Sequence, residues 1–304
     1  MGGHLCVGPD GSSLLGFLSV VGAFSALSRA WPERNVRVRW TKERGWRPVL
    51  MADGPSSDDG LVDALNGELR RRKIGITDEN GALADNTNKL TVGAFRAQAE
   101  RLMLESSIKD RRDIDFLAAV AGEVAYKQYI ADTALRTLSG AGHQDFLGTM
   151  RNLVEKVGKD DIAATLFKTW RATESRKLSL RYDPLEDRRY ALRATNPSDN
   201  ENPPVSFPGA NRLAVEALEC FPTYPGTTRL WTTGFVQKEI LWPLWESPVS
   251  LASLRSLLLR KQIYDPRSRA EDMRSIGVSA VFTSTRISTG GDRFRNFTPA
   301  KLRV

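Results

Sequence analysis

Residues able to do chemistry are scarce in this chain, and the scarcity is the first constraint on its function. It contains only two histidines, His4 and His143, and two cysteines, Cys6 and Cys220. That stock forms no HExxH motif, no C-x-x-C pair and no Cys/His cluster, so a zinc centre is disfavoured. No G-x-S-x-G elbow is present, and His143 has no partner base, metal ligand or nucleophile nearby in sequence, which disfavours a hydrolase triad. No Gly-Lys-Ser/Thr sequence occurs, so a phosphate-binding loop for ATP is not expected, and no cofactor is implied.

Three stretches still carry chemical possibilities. In "YDPLEDRRY", Asp183, Glu186 and Asp187 place three acids within five residues, enough to hold Mg²⁺ for phosphodiester cleavage. The competing reading is an Asp-Pro turn whose acids pair with Arg188 and Arg189. In "SGAGHQ", Ser139, Gly140, Gly142, His143 and Gln144 break one predicted helix and open the next, with Asp145 in its first turn. Glycines at a helix start let a phosphate or another backbone approach closely, and both remain open; no third glycine completes a dinucleotide pattern. In "RISTGGDRFRNFTP", Arg286, Arg293 and Arg295 alternate with Phe294 and Phe297, with Lys301 just beyond. Arginine for phosphate and aromatic rings for bases are the components of a single-strand groove. The alternative is an edge hairpin with Phe294 or Phe297 in the core.

Charge points the same way. The net charge is +8, and residues 251–304 hold eleven Lys or Arg against four Asp or Glu, leaving the first 250 residues nearly balanced. A basic end on a neutral chain suits a polyanion, because clustered cations release counterions from a phosphate backbone.

The elements that must position these residues follow from periodicity. A short strand at 4–8 leads through Gly-Pro-Asp-Gly-Ser-Ser into a helix over 14–29. Its apolar run, Leu14 to Leu27, is too short to span a bilayer and reads as a buried helix. "NVRVRW" alternates strictly, with Val36, Val38 and Trp40 inward and Arg37 and Arg39 on a polar face that extends the basic surface. Residues 45–51 form its hairpin partner, and Leu61, Leu65 and Leu69 mark a helix ending in "RRRK", residues 70–73. Residues 75–89 read as a loop. Helical patterns cover about 91–106, 113–123, 124–138, 143–157 and 160–170. Strand-like runs then begin at "LSLRYDP" and "DRRYALRA", a helix follows over 209–221, "TTRLWTTGF" and "ILWPLW" are strands, Ser250 opens another helix, and the end is a hairpin about Gly290 and Gly291. The expected fold is α+β, with mixed or antiparallel sheets and a helical middle layer. The expected parts are an N-terminal one at 1–130, opening strand-helix-strand-strand, and one at 131–304, helical and then strand-rich and basic. Cys6 and Cys220 stand far apart among apolar residues, so two buried free thiols in a reducing cytoplasm are expected.

Several phrases in succession carry a resemblance: "GPDGSSLLGFLSVVGAFSALSRAWP", "VRVRW", "GWRPVL", "TALRTLSGAGHQDFLGTMR", "DRRYALRATNPS", "GANRLAVEALECFP", "TTGF", "WPLWESPVSLASLRSLL" and "FRNFTP". Over nearly its whole length the chain resembles a family of CRISPR-associated proteins of type I-G (formerly I-U) systems, the extension family of the CRISPR helicase-nuclease. Its Gly-Phe-Leu-x-x-x-Gly opening is similar, more weakly, to the type I-G large subunit. The resemblance implies a non-catalytic component or accessory of a DNA-targeting antiviral effector, with guide RNA or target DNA and the effector subunits or helicase-nuclease as partners; it supplies no catalytic residue. In an effector, basic surfaces hold nucleic acid by shape and backbone. A nuclease using the three acids, and an adaptor binding other subunits through Trp231, Trp242 or Trp245, are the alternatives.

Overall fold

The computed structural model describes residues 2–87, 90–107, 110–138, 145–174, 178–186, 205–289 and 294–304. Its first element, β1 (Gly2–Leu5), leads into α1 (Leu14–Ala30), where Ser13 caps the helix by accepting from the Gly16 N–H at 3.0 Å. β2 (Arg37–Thr41) and β3 (Arg47–Ala52) complete an antiparallel sheet of order β1-β3-β2. The inward residues of β2, Val38 and Trp40, are buried as the alternation predicts. α2 (Asp58–Leu69), α3 (Val92–Glu105) and α4 (Arg112–Val120) follow, then the short pair β4 (Ala121–Gly122) and β5 (Ala131–Asp132). α5 (Phe146–Lys156), α6 (Lys159–Phe167), β6 (Thr173–Glu174), β7 (Val205–Ser206) and α7 (Pro208–Ala217) lead to a 3-10 turn at Leu218–Cys220.

The remaining chain is strand-rich. β8 (Thr223–Pro225) and β9 (Leu230–Thr232) form a hairpin, and β10 (Phe235–Val236), β11 (Glu239–Leu244) and β12 (Ala280–Thr289) form an antiparallel sheet. α8 (Leu251–Leu257), α9 (Lys261–Tyr264) and α10 (Ala270–Ser275) lie between β11 and β12. The far edge of β12 is shared: β13 (Phe294–Phe297) pairs with its second half and β14 (Lys301–Leu302) with its first. The architecture is α+β, with several small antiparallel sheets around a helical layer.

α1 is the axis. Every residue from Leu14 to Leu27 is buried, as befits a helix apolar on all sides and covered all round. It crosses α7 closely enough that a Cβ on Gly22 would stand 1.8 Å from the Leu213 carbonyl oxygen. Glycine is therefore required by approach rather than by backbone angle. On its other side Phe17 stacks on Trp40 and Trp242 at 6.3 and 6.0 Å between ring centres, and the Trp242 indole donates to the Gly11 carbonyl at 2.8 Å. The two larger sheets meet where the Trp40 N–H donates to the Trp245 carbonyl at 2.8 Å and the Trp245 indole to the Val38 carbonyl at 2.9 Å. One apolar core thus draws on residues from both sides of position 130.

Beside this core lies a buried ionic cluster. Arg72 bridges Glu216 at 2.7 Å and Glu219 at 3.2 Å, while Arg29 reaches Glu216 at 2.6 Å, Glu68 at 2.8 Å and also Glu219. Arg212 pairs with Glu216 at 2.9 Å and donates to the Leu69 carbonyl at 2.7 Å, and Arg112 meets Glu68 at 2.7 Å. Burial by itself would push the Glu216 carboxyl up, but the charges of Arg72, Arg212 and Arg29 outweigh it and hold the group far below the carboxylate range.

The helix expected over 124–138 is absent: the segment holds an exposed turn at 125–129 and then β5, which pairs back onto β4. Tyr126 has φ +64°, in the left-handed region that ends any helix. "LSLRYDP" is not a strand either: Arg181 has φ +57°, and Leu180 and Tyr182 are buried as anchors of irregular chain. "DRRYALRA" lies outside the described residues. No helix among the described residues is long and apolar enough to cross a membrane, and Cys6 and Cys220 are free and buried.

Two outcomes follow. Gly22→Ala should lower the unfolding free energy by about 2 kcal/mol, because two helix backbones must part. Glu216→Ala should cost roughly 3–5 kcal/mol in denaturant titration by leaving buried guanidinium groups unmatched. Since the Glu216 carboxyl titrates lower in the folded chain than its ordinary value of 4.5, its stabilisation is complete above that value and lost as pH falls below it. The variant's thermal midpoint should therefore vary less with acid than that of the parent.

Candidate nucleic-acid interface

The basic C-terminal residues do not all stand at the surface. Phe297 is fully buried against Tyr182 and Phe235, with ring centres 6.0 and 6.2 Å away. It is a core residue, so its expected role in stacking on a base is corrected: the strand pairing of β13 turns that ring inward. Arg286 is half-buried, and its Nη2 donates to the Arg136 carbonyl at 3.0 Å. Its guanidinium is thereby used inside the fold, which also corrects its assignment to phosphate. Arg295 is half-buried, and Phe294 lies in β13 opposite Thr289. Arg293 lies outside the described residues, as do Ser139, Gly140, Gly142, His143 and Gln144.

The chain on either side of 139–144 is fastened by one side chain. The Asn86 carbonyl accepts from the Phe146 N–H at 2.9 Å and from Arg136 at 3.4 Å, and its amide donates to Asp145 at 3.1 Å. With Arg286 bound to the Arg136 carbonyl, the chain leading up to residue 138 and strand β12 meet. Asn86 falls in the polar stretch read as a plain loop, and only its residue type, able to donate and accept at once, hinted at such a role.

Lys301 is exposed on β14, where it pairs with Thr283, and it belongs to a larger group. The Arg303 guanidinium donates to the Ile263 carbonyl at 3.0 Å, which seats the end of the chain against α9. α9, the turn at 265–269, α10 and Val304 then close around one small hollow, lined by Ile263, Met273 and Val281. Around this corner stand the exposed side chains Arg260, Lys261, Arg267, Arg269, Arg274 and Lys301. Arg267 pairs with Asp265 at 2.9 Å, and its hydrogen bonds, with a smaller pull from the charge of Lys261, hold that carboxyl down to about 2. The other five form no ion pair with a described residue. Cations without an ion pair on one corner create a field that attracts a phosphate backbone, offset in part by the exposed Glu271 and Asp272 of α10. The count in the sequence pointed to this end of the chain, but the arginine-phenylalanine alternation drew attention to the hairpin instead.

Arg37 and Arg39 occupy the half-exposed face of β2, opposite Met51 and Val49 of β3. The Arg37 guanidinium also donates to the Asn35 side-chain Oδ1 at 3.4 Å. They keep the exposed placement expected of them, in the three-stranded sheet rather than on the basic corner.

The acids of "YDPLEDRRY" are drawn inward. Glu186 is buried, accepting from the Phe207 N–H at 3.0 Å, the Ser179 hydroxyl at 2.8 Å and the Asn211 amide. Burial, reinforced by Asp183, pushes its carboxyl up to about 8 despite these donors. Asp183 accepts from the Leu185 N–H at 2.8 Å, and burial raises it too. Asp187 lies outside the described residues. Both Glu186 oxygens serve the fold, so the metal alternative loses its middle ligand, and among the described residues no cluster of three His, Cys, Asp or Glu is placed to hold a metal.

His4 is also engaged. Its Nδ1 lies 2.6 Å from Asp58 and its Nε2 2.7 Å from the Ser56 hydroxyl. The order of atoms is that of a serine-hydrolase relay. Ser56 sits just ahead of α2, and Asp58 lies in that helix's first turn, so both hydrogen bonds of the imidazole tie β1 to the start of α2. The arrangement is a staple between β1 and α2. Trp242 and Trp245 are core residues, which removes them as adaptor contacts; Trp231 is half-exposed beneath Arg229, whose guanidinium lies 3.7 Å from the ring centre. No protein-family model matches the chain, and a search of curated proteins finds no match.

Glu186 provides a pH signature. Its folded value of about 8 lies above its ordinary 4.5, so the buried neutral acid contributes stability below 4.5 that is lost as pH rises through 8. Glu186→Gln should flatten that decline in a series of urea titrations from pH 5 to about 9; an unchanged slope would place the titrating group elsewhere.

Proposed function

We propose that this chain is a non-catalytic, nucleic-acid-binding component or accessory of a type I-G CRISPR effector, working in the cytoplasm with effector subunits or the helicase-nuclease. Guide RNA or target DNA lies along the corner of α9, α10 and β14. One observation carries the reading: Arg260, Lys261, Arg269, Arg274 and Lys301 stand exposed together with no ion-pair partner among the described residues. Such a group binds phosphates without reading sequence, as a subunit that follows a guide-target hybrid must. The family resemblance supplies the antiviral setting, and the inward placement of Glu186 favours holding a strand over cutting it.

The test is salt-dependent binding. Arg269→Glu with Arg274→Glu should weaken affinity for a labelled oligonucleotide at least tenfold and reduce the slope of log K against log salt by about 2. Equal affinity and equal slope in parent and variant would overturn the assignment. Co-purification of effector subunits that survives nuclease and high salt would show an adaptor instead.

A further inference from the structure

Away from the basic corner, several aromatic rings stand in water. Residues 125–129 are all exposed between buried Val124 and Ile130, and Tyr126 is 106% exposed. Its φ of +64° is unfavourable for any residue but glycine. Strain of this kind persists only where the surroundings enforce it. Here the Lys127 N–H donates to the Val124 carbonyl at 3.2 Å, the Gln128 carbonyl accepts from the Val92 N–H at 3.0 Å, and the Ile130 N–H donates to the Leu90 carbonyl at 3.1 Å. The turn is held at both ends while presenting Tyr126, Lys127 and Tyr129 outward.

The β8–β9 hairpin lies against the chain on either side of this turn, at the end of α4, at β4 and at Ala134. The Thr223 hydroxyl donates to the Ala118 and Ala121 carbonyls at 2.7 and 3.0 Å, and the Ala134 N–H donates to the Thr232 hydroxyl at 2.8 Å. A Cβ on Gly122 would come within 2.7 Å of Leu230. Tyr224 and Trp231 are direct cross-strand partners, so their rings share one face of the hairpin, with Arg229 over the indole. On the side of the basic corner, Tyr264 at the end of α9 is within electrostatic reach of Tyr224.

We propose that the turn at 124–130 and the β8–β9 hairpin form a stacking platform for the unpaired bases of single-stranded RNA or DNA, continuing from the phosphate-binding corner. The proposal rests on the nucleic-acid reading above and adds a substrate class, strands whose bases are free. Exposed aromatic faces interleaved with Lys127 and Arg229 match alternating bases and phosphates. A duplex hides its base faces and gains only the cations.

The experiment uses the full chain and fluorescence anisotropy with an unstructured oligoribonucleotide, the oligodeoxyribonucleotide of the same sequence, and a blunt duplex. Tyr126→Ala, Tyr129→Ala and Tyr224→Ala should each weaken single-strand binding by about fivefold or more. Duplex affinity and the salt slope should not change, since no cation is removed. Tyr126→Phe should bind like the parent. Tyr126→Gly relieves the backbone while removing the ring, so its loss of binding cannot be ascribed to misfolding. The relative losses with RNA and DNA tell which strand the platform prefers. Parent-like single-strand affinity in all three alanine variants would overturn the platform and leave the basic corner intact. A parent chain that binds no oligonucleotide at low salt would overturn the underlying reading as well. Loss of effector-subunit binding in the tyrosine variants, with oligonucleotide affinity unchanged, would make this a protein surface and also overturn the proposal.

Discussion

The helical layer depends on one carboxylate, Glu216, and the three arginines that converge on it. Arg29 comes from α1, Arg72 from just beyond α2, and Arg212 from one turn earlier in α7. The cluster extends through Glu68 to Arg112 at the start of α4 and through Glu219 to Arg255 of α8, 3.6 Å away. Five helices are thereby oriented by charges withdrawn from water. Replacing such a cluster by apolar residues of similar size can be neutral for stability. Its distinctive effect is to penalise any other packing of these helices, because a displaced helix would strand a buried charge. Apolar contacts between α1 and α7 bring the layer together, and the ionic cluster selects its arrangement.

That cluster was not legible in the sequence. Of its ion pairs among the described residues, only that of Arg212 with Glu216 joins residues at the i,i+4 spacing that suggests a pair; Glu68 and Arg72 share the spacing, but their ion pairs within the cluster are made with residues distant in sequence. Arg72 lies in "RRRK", where a basic last turn on α2 is a sufficient local explanation. Arg71 does remain largely exposed, and the chain beyond the helix turns the next arginine inward. Contacts between residues more than a hundred positions apart carry no local signature. The strands of "NVRVRW", the serine caps of α1 and α8 and the all-round burial of α1 were readable because each follows from spacing within a few residues.

The 124–138 segment shows the opposite failure. Its apolar residues recur at helical intervals, but the β4–β5 pair and the hydrogen bonds of 124–130 to the start of α3 determine its backbone. The candidate site failed in a similar way. The alternation of arginine and phenylalanine near the C-terminus has the composition of a strand-binding hairpin, yet the β12–β13 register sends Phe297 into the core. Composition identifies what a surface would need; only register decides which side chains reach that surface.

Burial also sharpens the charge argument. Before residue 251, four arginines (Arg72, Arg112, Arg136 and Arg212) and four glutamates (Glu68, Glu186, Glu216 and Glu219) are buried among the described residues. Among the described residues folding therefore withdraws basic and acidic side chains in equal number from a segment already near balance, Glu186 as a neutral acid. After residue 251 no lysine or arginine is fully buried among the described residues. The eleven basic residues there are diluted by only four acids, one of which is held by Arg267. The fold thus concentrates its external field at one end without adding any charge. In the function proposed above, a phosphate backbone would be drawn first to α9, α10 and β14, and contact of its bases with the tyrosines would follow that capture.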